Sequence, residues 1–403
     1  ASDVYKRQAV AKALYGNELK NSVTRLEQYA ACACAHFLTY GLRLQERELF
    51  EFRMADMGNI YHTALERYSR KLEQSEYDWF VVPDAVRRQM AENAMQEAIA
   101  GYPGMAVCDT AENAYQRKRM LAIFDQTVWA LTRQVRAGQF VPEKFEVTFD
   151  ELEGKESLEY RLSHDVTMRL EGRIDRLDTF EDENKISIKV IDYKSGNTKF
   201  DLIRVYRGLQ LQLVVYMDAA MEMLRGQHPK KEILPGGILY YHIDDPVLES
   251  DTPLSDEEAE QALLFALRPD GLVNSGEEIY RAMDQNFEGK SQMIPVEIKK
   301  NGEISTARSK VASTEEFAVI TRYVEHEIRQ CGEAIYAGNI AVNPYRRDIE
   351  TSCTYCPYAS VCGMDAKIPG YEYRQFASMK KEEVLYQMQT CLLYTSPSPR
   401  DIS

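Results

Sequence analysis

The sequence predicts an α/β protein in which helices surround a mixed β-sheet, and three patterns support this prediction. Between Gly172 and Lys194, two segments of alternating apolar and polar residues flank the turn-forming cluster EDENK, which is typical of a strand–turn–strand unit. Apolar residues recur at helical spacing before this unit and directly after it. A further apolar strand pattern, GGILYYHI, follows at Gly236–Ile243. This order of helices, strands, helix and strand predicts a sheet with helices packed on it.

The elements follow in chain order. Helices are predicted, with approximate ends, at Ser22–Arg43, Met54–Leu72, Asp84–Ile99, Asp109–Gly138, Tyr206–Leu224 and Ser313–Ala337. Strands are predicted at Phe145–Phe149, Leu158–Leu162, Thr167–Leu177, Ile186–Tyr193 and Gly236–Ile243. The core therefore spans about residues 140–245, and the acidic, weakly patterned residues 251–308 are interpreted as an insertion or peripheral subdomain. No NTPase motor is predicted, because Asp284 stands where a phosphate-binding loop ending in the GKS of residues 289–291 requires glycine.

Length and composition limit the class of protein. The chain has 403 residues, which allows one large domain or two. It contains no apolar run long enough to span a membrane and no signal segment, so a cytoplasmic protein without a membrane partner is expected. Of its eight cysteines, those that lie close together are then expected to bind metal rather than to form disulfides. The net charge of −14 argues against a protein that coats DNA irrespective of sequence.

The sequences at the two ends of the chain do not continue the patterns of the segments next to them. Residues 1–8 (ASDVYKRQ) and the Ser/Pro-containing residues 391–403 are interpreted as non-native additions. The domain is therefore expected to occupy residues 9–390, and the native chain is expected to continue beyond both ends.

The strand–turn–strand unit carries the first candidate site. Side chains on a strand alternate between faces, so Asp192 and Lys194 share one face. A turn centred near Asp182 brings Asp175 level with Asp192. An isolated D-x-K is more often a solvated surface, but here an apolar run precedes it, and buried charges need partners or a metal. Two carboxylates and a lysine that converge in this way can hold a hard divalent cation for phosphodiester hydrolysis.

The segments GRID, IDYKSG and Q-x-x-x-Y, in this order, resemble the motifs of RecB-type PD-(D/E)xK nucleases, which have a restriction-endonuclease-like fold. The resemblance implies that Asp175 and Asp192 bind metal and that Lys194 orients or activates the attacking water. Gln212 and Tyr216, four residues apart on one helix face, would be an accessory catalytic pair.

A helix motif before the strands extends this resemblance. Gly58, His62 and Glu66 are spaced by four residues and so share a helix face. A lone histidine there is usually structural, and a helix-surface glutamate is common. In RecB-type nucleases, however, the histidine of a G-x-x-x-H-x-x-x-E helix is a metal ligand. By resemblance, His62, Asp175, Asp192 and the backbone carbonyl of Tyr193 would therefore hold Mg²⁺ or Mn²⁺.

The second candidate site is a group of cysteines. Cys353, Cys356 and Cys362 have the spacing C-x2-C-x5-C, which indicates metal binding in a cytoplasmic protein. No fourth ligand lies nearby, although a zinc site usually has one. A distant cysteine is therefore required, and Cys32 is the candidate, with Cys34 as a competing ligand.

One cysteine before the nuclease core and three after it resemble the iron–sulfur staple of the AddB branch of these nucleases. The likeness includes YAACACAHFLTYGLRL and CTYCPYASVC, and it is to the C-terminal nuclease domain of that branch. It implies a [4Fe-4S] cluster held by Cys32, Cys353, Cys356 and Cys362, with a cluster loop at residues 353–362. One departure is that Ala33 and Cys34 replace the usual proline and aromatic residue.

The resemblance implies a Mg²⁺-dependent DNA exonuclease that degrades the 5′-terminated strand at double-strand breaks during recombinational repair. Its partners would be DNA ends and an AddA-type helicase–nuclease subunit. A CRISPR-adaptation nuclease shares the cysteine pattern, but it is shorter and leaves the helices before Phe145 unexplained. A catalytically silent DNA-binding scaffold is the second alternative, against which the intact acidic residues and lysine count. An iron–sulfur redox protein is the least favoured, because it gives the acidic hairpin no role.

Overall fold

The computed structural model describes residues 2–16, 18–45, 54–102, 111–151, 158–162, 166–250 and 252–395. The α-helices of these residues are α1 (Ser2–Tyr15), α2 (Val23–Ala31), α3 (Ala33–His36), α4 (Met54–Glu73), α5 (Asp84–Ala100), α6 (Ala111–Ala137), α7 (Leu202–Tyr206), α8 (Gln212–Gln227), α9 (Asp256–Ala266), α10 (Glu277–Met283), α11 (Thr314–Tyr336), α12 (Ala359–Cys362) and α13 (Lys381–Thr395). The strands are β1 (Glu18–Ser22), β2 (Val141–Thr148), β3 (Glu159–Leu162), β4 (Val166–Glu171), β5 (Arg173–Glu181), β6 (Lys185–Lys194), β7 (Glu232–His242), β8 (Asp270–Asn274), β9 (Val311–Ala312), β10 (Tyr345–Arg347), β11 (Glu350–Thr351) and β12 (Arg374–Gln375).

The main sheet has the strand order β2-β5-β6-β7-β8-β9. Its β6–β7 and β8–β9 pairs are parallel and its other pairs are antiparallel, so the predicted mixed sheet is confirmed. Helices α4, α5, α6 and α10 share a core with one face. Helices α2, α8, α11 and α13 share a core with the other.

The hairpin of β5 and β6 has the predicted register. Arg176 pairs with Ile191, so Asp175 lies level with Asp192. In the turn, the Asp182 carboxylate accepts backbone N–H groups of the two residues at 184 and 185, at 2.8 and 2.7 Å. This side-chain-to-backbone capping closes the turn and sets the register of both strands.

The predicted single strand Thr167–Leu177 is wrong. It is two strands in different sheets, since β4 pairs with β1 and β3 whereas β5 lies in the main sheet. Gly172 separates them and packs on the Phe149 ring, where a Cβ atom would lie 2.7 Å from a ring carbon. A residue without a side chain therefore lets the chain pass from one sheet to the other at this position.

Two predicted long helices are also interrupted. The segment Ser22–Arg43 contains α2, α3 and a π-helix, and Cys32 is extended between α2 and α3 with φ −165°. The segment Tyr206–Leu224 contains the end of α7 and most of α8, separated by a turn in which Gly208 has φ +74°. Both breaks lie beside candidate site residues.

The interpretation of residues 251–308 as peripheral is wrong for part of the segment. Strand β8 lies inside the main sheet, between β7 and β9, and its Leu272 and Val273 are buried. Gly271 permits this pairing, because a Cβ atom there would lie 2.1 Å from the backbone oxygen of Ile238. A five-residue strand buried on both faces has no alternating pattern by which the sequence could reveal it.

The two ends of the chain are partly described. Helix α13 continues past residue 390, and Cys391 and Leu392 pack against the core, so the predicted boundary at residue 391 falls within a helix. Residues 396–403 lie outside the described residues. No helix of the described part is both long and apolar enough to cross a membrane.

Candidate functional site

The end of the β5–β6 hairpin brings the two predicted aspartates together. Asp175 and Asp192 are 6% and 1% exposed. The backbone N–H of Tyr193 donates to Asp175 Oδ2 at 2.7 Å, which links the two strands. Lys194 Nζ lies 2.6 Å from Asp192 Oδ2, as expected for side chains on one face of a strand.

Helix α4 brings His62 to the same end of the β5–β6 hairpin, from the layer of helices on one face of the main sheet. Its Nε2 lies 3.0 Å from the carbonyl oxygen of Tyr193, and because a carbonyl only accepts, Nε2 carries a proton in this arrangement. Its Nδ1 lies 3.4 Å from both Asp175 Oδ2 and Glu146 Oε1. The structure therefore brings His62 beside Asp175 and the Tyr193 carbonyl, two of the groups that the resemblance assigns to the metal.

The rest of the α4 motif has a packing role. Gly58 lies against Ser195, directly after Lys194, and a Cβ atom on Gly58 would lie 2.9 Å from Ser195 Oγ. The glycine thus lets α4 approach the end of β6 closely. Glu66 contacts Arg70 at 2.6 Å, one helical turn along its own helix, as expected for a surface glutamate.

A third carboxylate, which the sequence reasoning missed, completes the group. Glu146 lies on β2 at φ 52°, which is uncommon for a residue with a side chain. Its Oε2 lies 2.6 Å from Arg173 Nε. One ligand atom each from His62, Glu146 and Asp175 lies within 4.8 Å of the other two.

Without a bound cation, the buried carboxylates of this group disfavour one another's ionised forms. Burial, and the nearby charge of Asp175, raise the pKa of Asp192 above its usual range. Burial likewise raises the pKa of Glu146. Although burial opposes the charged imidazolium, the carboxylates of Asp175 and Glu146 outweigh it and raise the pKa of His62 to about 10. The site thus favours positive charge at its centre.

The donor atoms fit a hard divalent cation. His62 Nδ1 and Glu146 Oε1 are buried without a partner in hydrogen-bond geometry among the described residues, whereas Glu146 Oε2 contacts Arg173. Buried polar atoms of this kind are costly unless they bind a metal or each other. Carboxylate oxygens, a backbone carbonyl and an imidazole are ligands that Mg²⁺ and Mn²⁺ accept.

The predicted accessory pair reaches the lysine. Lys194 Nζ donates to Gln212 Oε1 at 3.0 Å, and Gln212 Nε2 donates to the Tyr216 hydroxyl at 2.8 Å. The one-turn spacing on α8 therefore produces the shared face that the sequence predicted. Lys194 also lies over the Tyr240 ring, 5.4 Å from its centroid.

A cleft of about 1030 Å³ opens beside Lys194 and Gln212. Six basic side chains line it: Lys194, Lys199, Arg204, Lys310, Arg347 and Lys381. Several of them contact carboxylates, for example Lys310 with Asp270 at 2.6 Å. The same cleft is also lined by the carboxylates of Glu27, Asp201, Glu350 and Glu382, so it presents charges of both signs next to the site.

The cysteines form a second group, remote in sequence but close in space. Burial is the largest cause that raises the pKa of Cys353, and the neighbouring Cys32, Cys356 and Cys362 raise it further. Burial is the largest cause that raises the pKa of Cys34 to about 11. The thiols of Cys32, Cys362 and Cys356 contribute to this rise, which indicates that Cys34 lies near them. The structure therefore brings all four predicted cysteines together and leaves Cys34 beside them.

Hydrogen bonds hold the Cys32 segment against the C-terminal part of the chain. The Ala33 N–H donates to Asn343 Oδ1 at 2.8 Å. The guanidinium of Arg374 donates to the carbonyl oxygens of Ala30 and Ala31, the latter at 3.1 Å. The extended backbone at Cys32 is thus fixed on both sides by residues more than three hundred positions away.

Residues 20–363 match the family model of the PD-(D/E)XK nuclease superfamily. The chain belongs to this superfamily. The resemblance that GRID, IDYKSG and Q-x-x-x-Y indicated is therefore confirmed, and so is the predicted fold class.

Curated relatives lie in one branch of the superfamily, and each is the B subunit of an ATP-dependent helicase/deoxyribonuclease. The chain is 40% identical over 385 residues to the protein of Lachnoclostridium phytofermentans, an alignment that covers 93% of this chain and 32% of that protein. It is 35% identical over 381 residues to the protein of a Thermoanaerobacter species, with 94% and 33% covered. The Clostridium botulinum protein is 33% identical over 371 residues, with 92% and 32% covered. The chain spans about a third of the length of these relatives.

Glu146 is the member of this PD-(D/E)XK site that the sequence motifs did not reveal. It stands in KFEVTF, where an acidic residue interrupts the apolar part of a predicted strand, and that interruption was the available signal. It was weak, because a glutamate on an outer strand usually faces solvent. Here the positive φ and the contact with Arg173 belong to a side chain that is only 5% exposed.

Proposed function

We propose that this chain is a nuclease domain that hydrolyses DNA phosphodiester bonds with a divalent metal ion. The observation that carries the proposal is the group of His62, Glu146 and Asp175, in which one ligand atom of each residue lies within 4.8 Å of the other two. Asp192 lies level with Asp175 on the next strand and contacts Lys194. The superfamily is one of nucleases, and the relatives are named as deoxyribonuclease subunits. DNA is therefore the proposed substrate.

The metal would be Mg²⁺ or Mn²⁺, held by the four groups that the sequence predicted, with Glu146 as an additional acidic neighbour. A bound divalent cation supplies Lewis acidity toward a phosphoryl oxygen. Although burial opposes it, the carboxylates of Asp175 and Glu146 raise the pKa of His62, so a metal that binds its ring would compete with a proton. The three buried carboxylates then face a positive charge that stabilises their ionised forms.

The remaining residues position charge. The Lys194 ammonium lies between Asp192 Oδ2 and Gln212 Oε1, which restrict it to one location. From there it would stabilise charge that develops on the attacked phosphate, or orient the water that attacks it. Gln212 and Tyr216 support the lysine through their own hydrogen bond.

The biological role follows from the relatives and belongs to the same proposal. The chain would be the nuclease part of a helicase–nuclease subunit that acts at DNA double-strand breaks in recombinational repair. It would degrade the 5′-terminated strand as an exonuclease, beside an AddA-type partner. The likeness to the helicase/deoxyribonuclease relatives across 93% of the chain supports this role over a shorter CRISPR-adaptation nuclease. The intact acidic site supports an enzyme over a silent scaffold.

The four cysteines Cys32, Cys353, Cys356 and Cys362 would hold a [4Fe-4S] cluster. Four thiolates around one zinc ion lie about 3.8 Å apart, given a Zn–S distance of about 2.3 Å. Among the described residues, no three cysteine sulfur atoms lie within 4.8 Å of one another. Four cysteine ligands are usual for a [4Fe-4S] cluster.

The purified chain is expected to degrade linear DNA with Mg²⁺ or Mn²⁺ and to stop when the ions are chelated. The Glu146→Gln variant should require about 10–100 times more metal for half-maximal activity, as is usual when an outer partner of a metal ligand is lost. Measuring the DNA cleavage rate against Mn²⁺ concentration tests both statements.

The matched control is Glu143→Gln, which removes an acid from the same strand, where Glu143 contacts Thr179 instead. It should have the metal requirement of the wild-type chain. Undiminished cleavage in the presence of chelator would contradict the proposed function.

The cysteine group is expected to be a staple rather than a catalyst. A cross-link between Cys32 and residues beyond 350 closes a loop of more than three hundred residues, and such a closure is worth about 6 kcal/mol on the loop-entropy estimate for disulfides. Cys32→Ser should therefore lose iron and become protease-sensitive near both ends of the domain, with activity falling because the fold loosens. Iron analysis and limited proteolysis measure these effects.

Two further variants separate the ligands from their neighbours. Cys34→Ser and Cys331→Ser should retain full iron content. Iron loss in Cys34→Ser but not in Cys32→Ser would move the ligand assignment by two residues. A Cys353→Ala protein that stays iron-loaded and protease-resistant would contradict the staple itself.

A further inference from the structure

Glu27 links α2, the helix directly before Cys32, to α8, the helix that carries Gln212. It lies on α2, five residues before Cys32, and its half-buried side chain lines the cleft. Its Oε1 accepts the backbone N–H of Leu211 at 2.7 Å and that of Gln212 at 3.2 Å. These contacts join positions more than 180 residues apart in sequence.

The hydrogen bonds occur where α8 needs them. Helix α8 begins at Gln212, and the preceding Leu211 has no side chain that can cap the free N–H groups of the first turn. Glu27 supplies the acceptor from another helix, and its negative charge lies near the positive end of the α8 dipole. The position of Glu27 therefore decides where α8 starts and how the side chain of Gln212 is directed.

That first side chain is the one that holds Lys194. Gln212 accepts from Lys194 Nζ with Oε1 and donates to Tyr216 with Nε2, so both ends of its amide are engaged. Burial raises the pKa of Glu27 to about 7, against the opposing effects of its two backbone N–H donors and then of the charges of Lys194 and Arg204.

We infer that Glu27 is a positioning residue, which fixes the amide of Gln212 and, through it, the ammonium of Lys194. This inference rests on the proposed nuclease function. It also connects the two sites of the chain, because Glu27 and Cys32 share one short segment. Displacement of α2 would then displace α8 and the lysine without any change in the metal ligands.

The test compares Glu27→Ala with Glu27→Gln. The alanine variant should lower kcat on linear DNA on the order of 10-fold, because misplacement of a catalytic group by about 1 Å has effects of this size or larger. Its KM and Mn²⁺ requirement should change little. The glutamine variant should keep most of the activity, because its amide oxygen can still accept the two N–H groups. An equal loss in both variants would overturn the role of the acceptor.

A double variant separates positioning from general destabilisation. In a Gln212→Ala background, Glu27→Ala should lower kcat by much less than in the wild-type chain, because residues that act through one another are not additive. Independent, multiplying losses would overturn the inference. The control is Glu258→Ala, which removes a carboxylate that caps α9 through Ser255 and should leave kcat unchanged.

Hydrogen–deuterium exchange gives a readout that does not depend on cleavage. The amides of Leu211 and Gln212 should exchange slowly in the wild-type chain and in Glu27→Gln, and rapidly in Glu27→Ala at unchanged iron content. Rapid exchange with undiminished kcat would overturn the positioning role while the proposed function stands. A wild-type chain that cleaves no DNA under any metal condition would overturn both.

Discussion

Replacement of Asp192 by alanine is expected to abolish cleavage of linear DNA while the fold and the iron content stay intact. Asp192 is 1% exposed, lies level with Asp175 and contacts Lys194, so its loss removes a proposed oxygen ligand and the partner of the lysine together. Because burial raises the pKa of this carboxyl, its ionised form is disfavoured in the metal-free protein. The melting temperature without metal should therefore not fall, and cleavage and Mn²⁺ binding should both be lost.

The control for this variant is Glu183→Ala, in the exposed turn of the same hairpin. It removes one negative charge without touching the site and should cleave DNA at the wild-type rate. Cleavage at the wild-type rate by Asp192→Ala would refute the assignment of Asp192. Loss of iron from that variant would show instead that the hairpin supports the distant cysteine group.

Replacement of Lys194 by alanine is expected to lower turnover on the order of 10²–10³-fold, with a much smaller effect on DNA binding. The ammonium is held by Asp192 and Gln212 before substrate arrives, so its charge is already placed where the transition state needs it. Such a group contributes mainly to kcat, because its interaction strengthens as negative charge develops on the phosphate. Single-turnover cleavage and equilibrium DNA binding measure the two effects separately.

Lys199→Ala is the matched comparison. Lys199 is an exposed lysine that lines the same cleft, away from the metal-binding group. The Lys199→Ala variant should bind DNA more weakly than the wild-type chain, and this difference should grow as the salt concentration falls. Its turnover should fall less than that of Lys194→Ala. Equal losses of binding and turnover in Lys194→Ala would make that lysine an ordinary phosphate contact.

Local patterns in the sequence predicted the parts of the site that depend on one element or on two adjacent ones. The two-residue alternation of β6 determined that Asp192 and Lys194 share a face. The turn at Asp182 determined the register that makes Asp175 level with Asp192. The helical period determined that Gln212 and Tyr216 meet. These contacts follow from backbone geometry alone, and so the sequence by itself was sufficient.

The tertiary structure alone decided which distant residues join the site. Glu146 and Glu27 each stand in ordinary strand or helix patterns, and only the packing of β2 beside β5 and of α2 beside α8 brings them to His62 and Gln212. The placement of β8 inside the sheet and the turn of the chain at Gly172 were decided in the same way. Periodicity records which face of an element is buried, but not which element covers it. That choice depends on the simultaneous packing of all the layers, for which no local pattern exists.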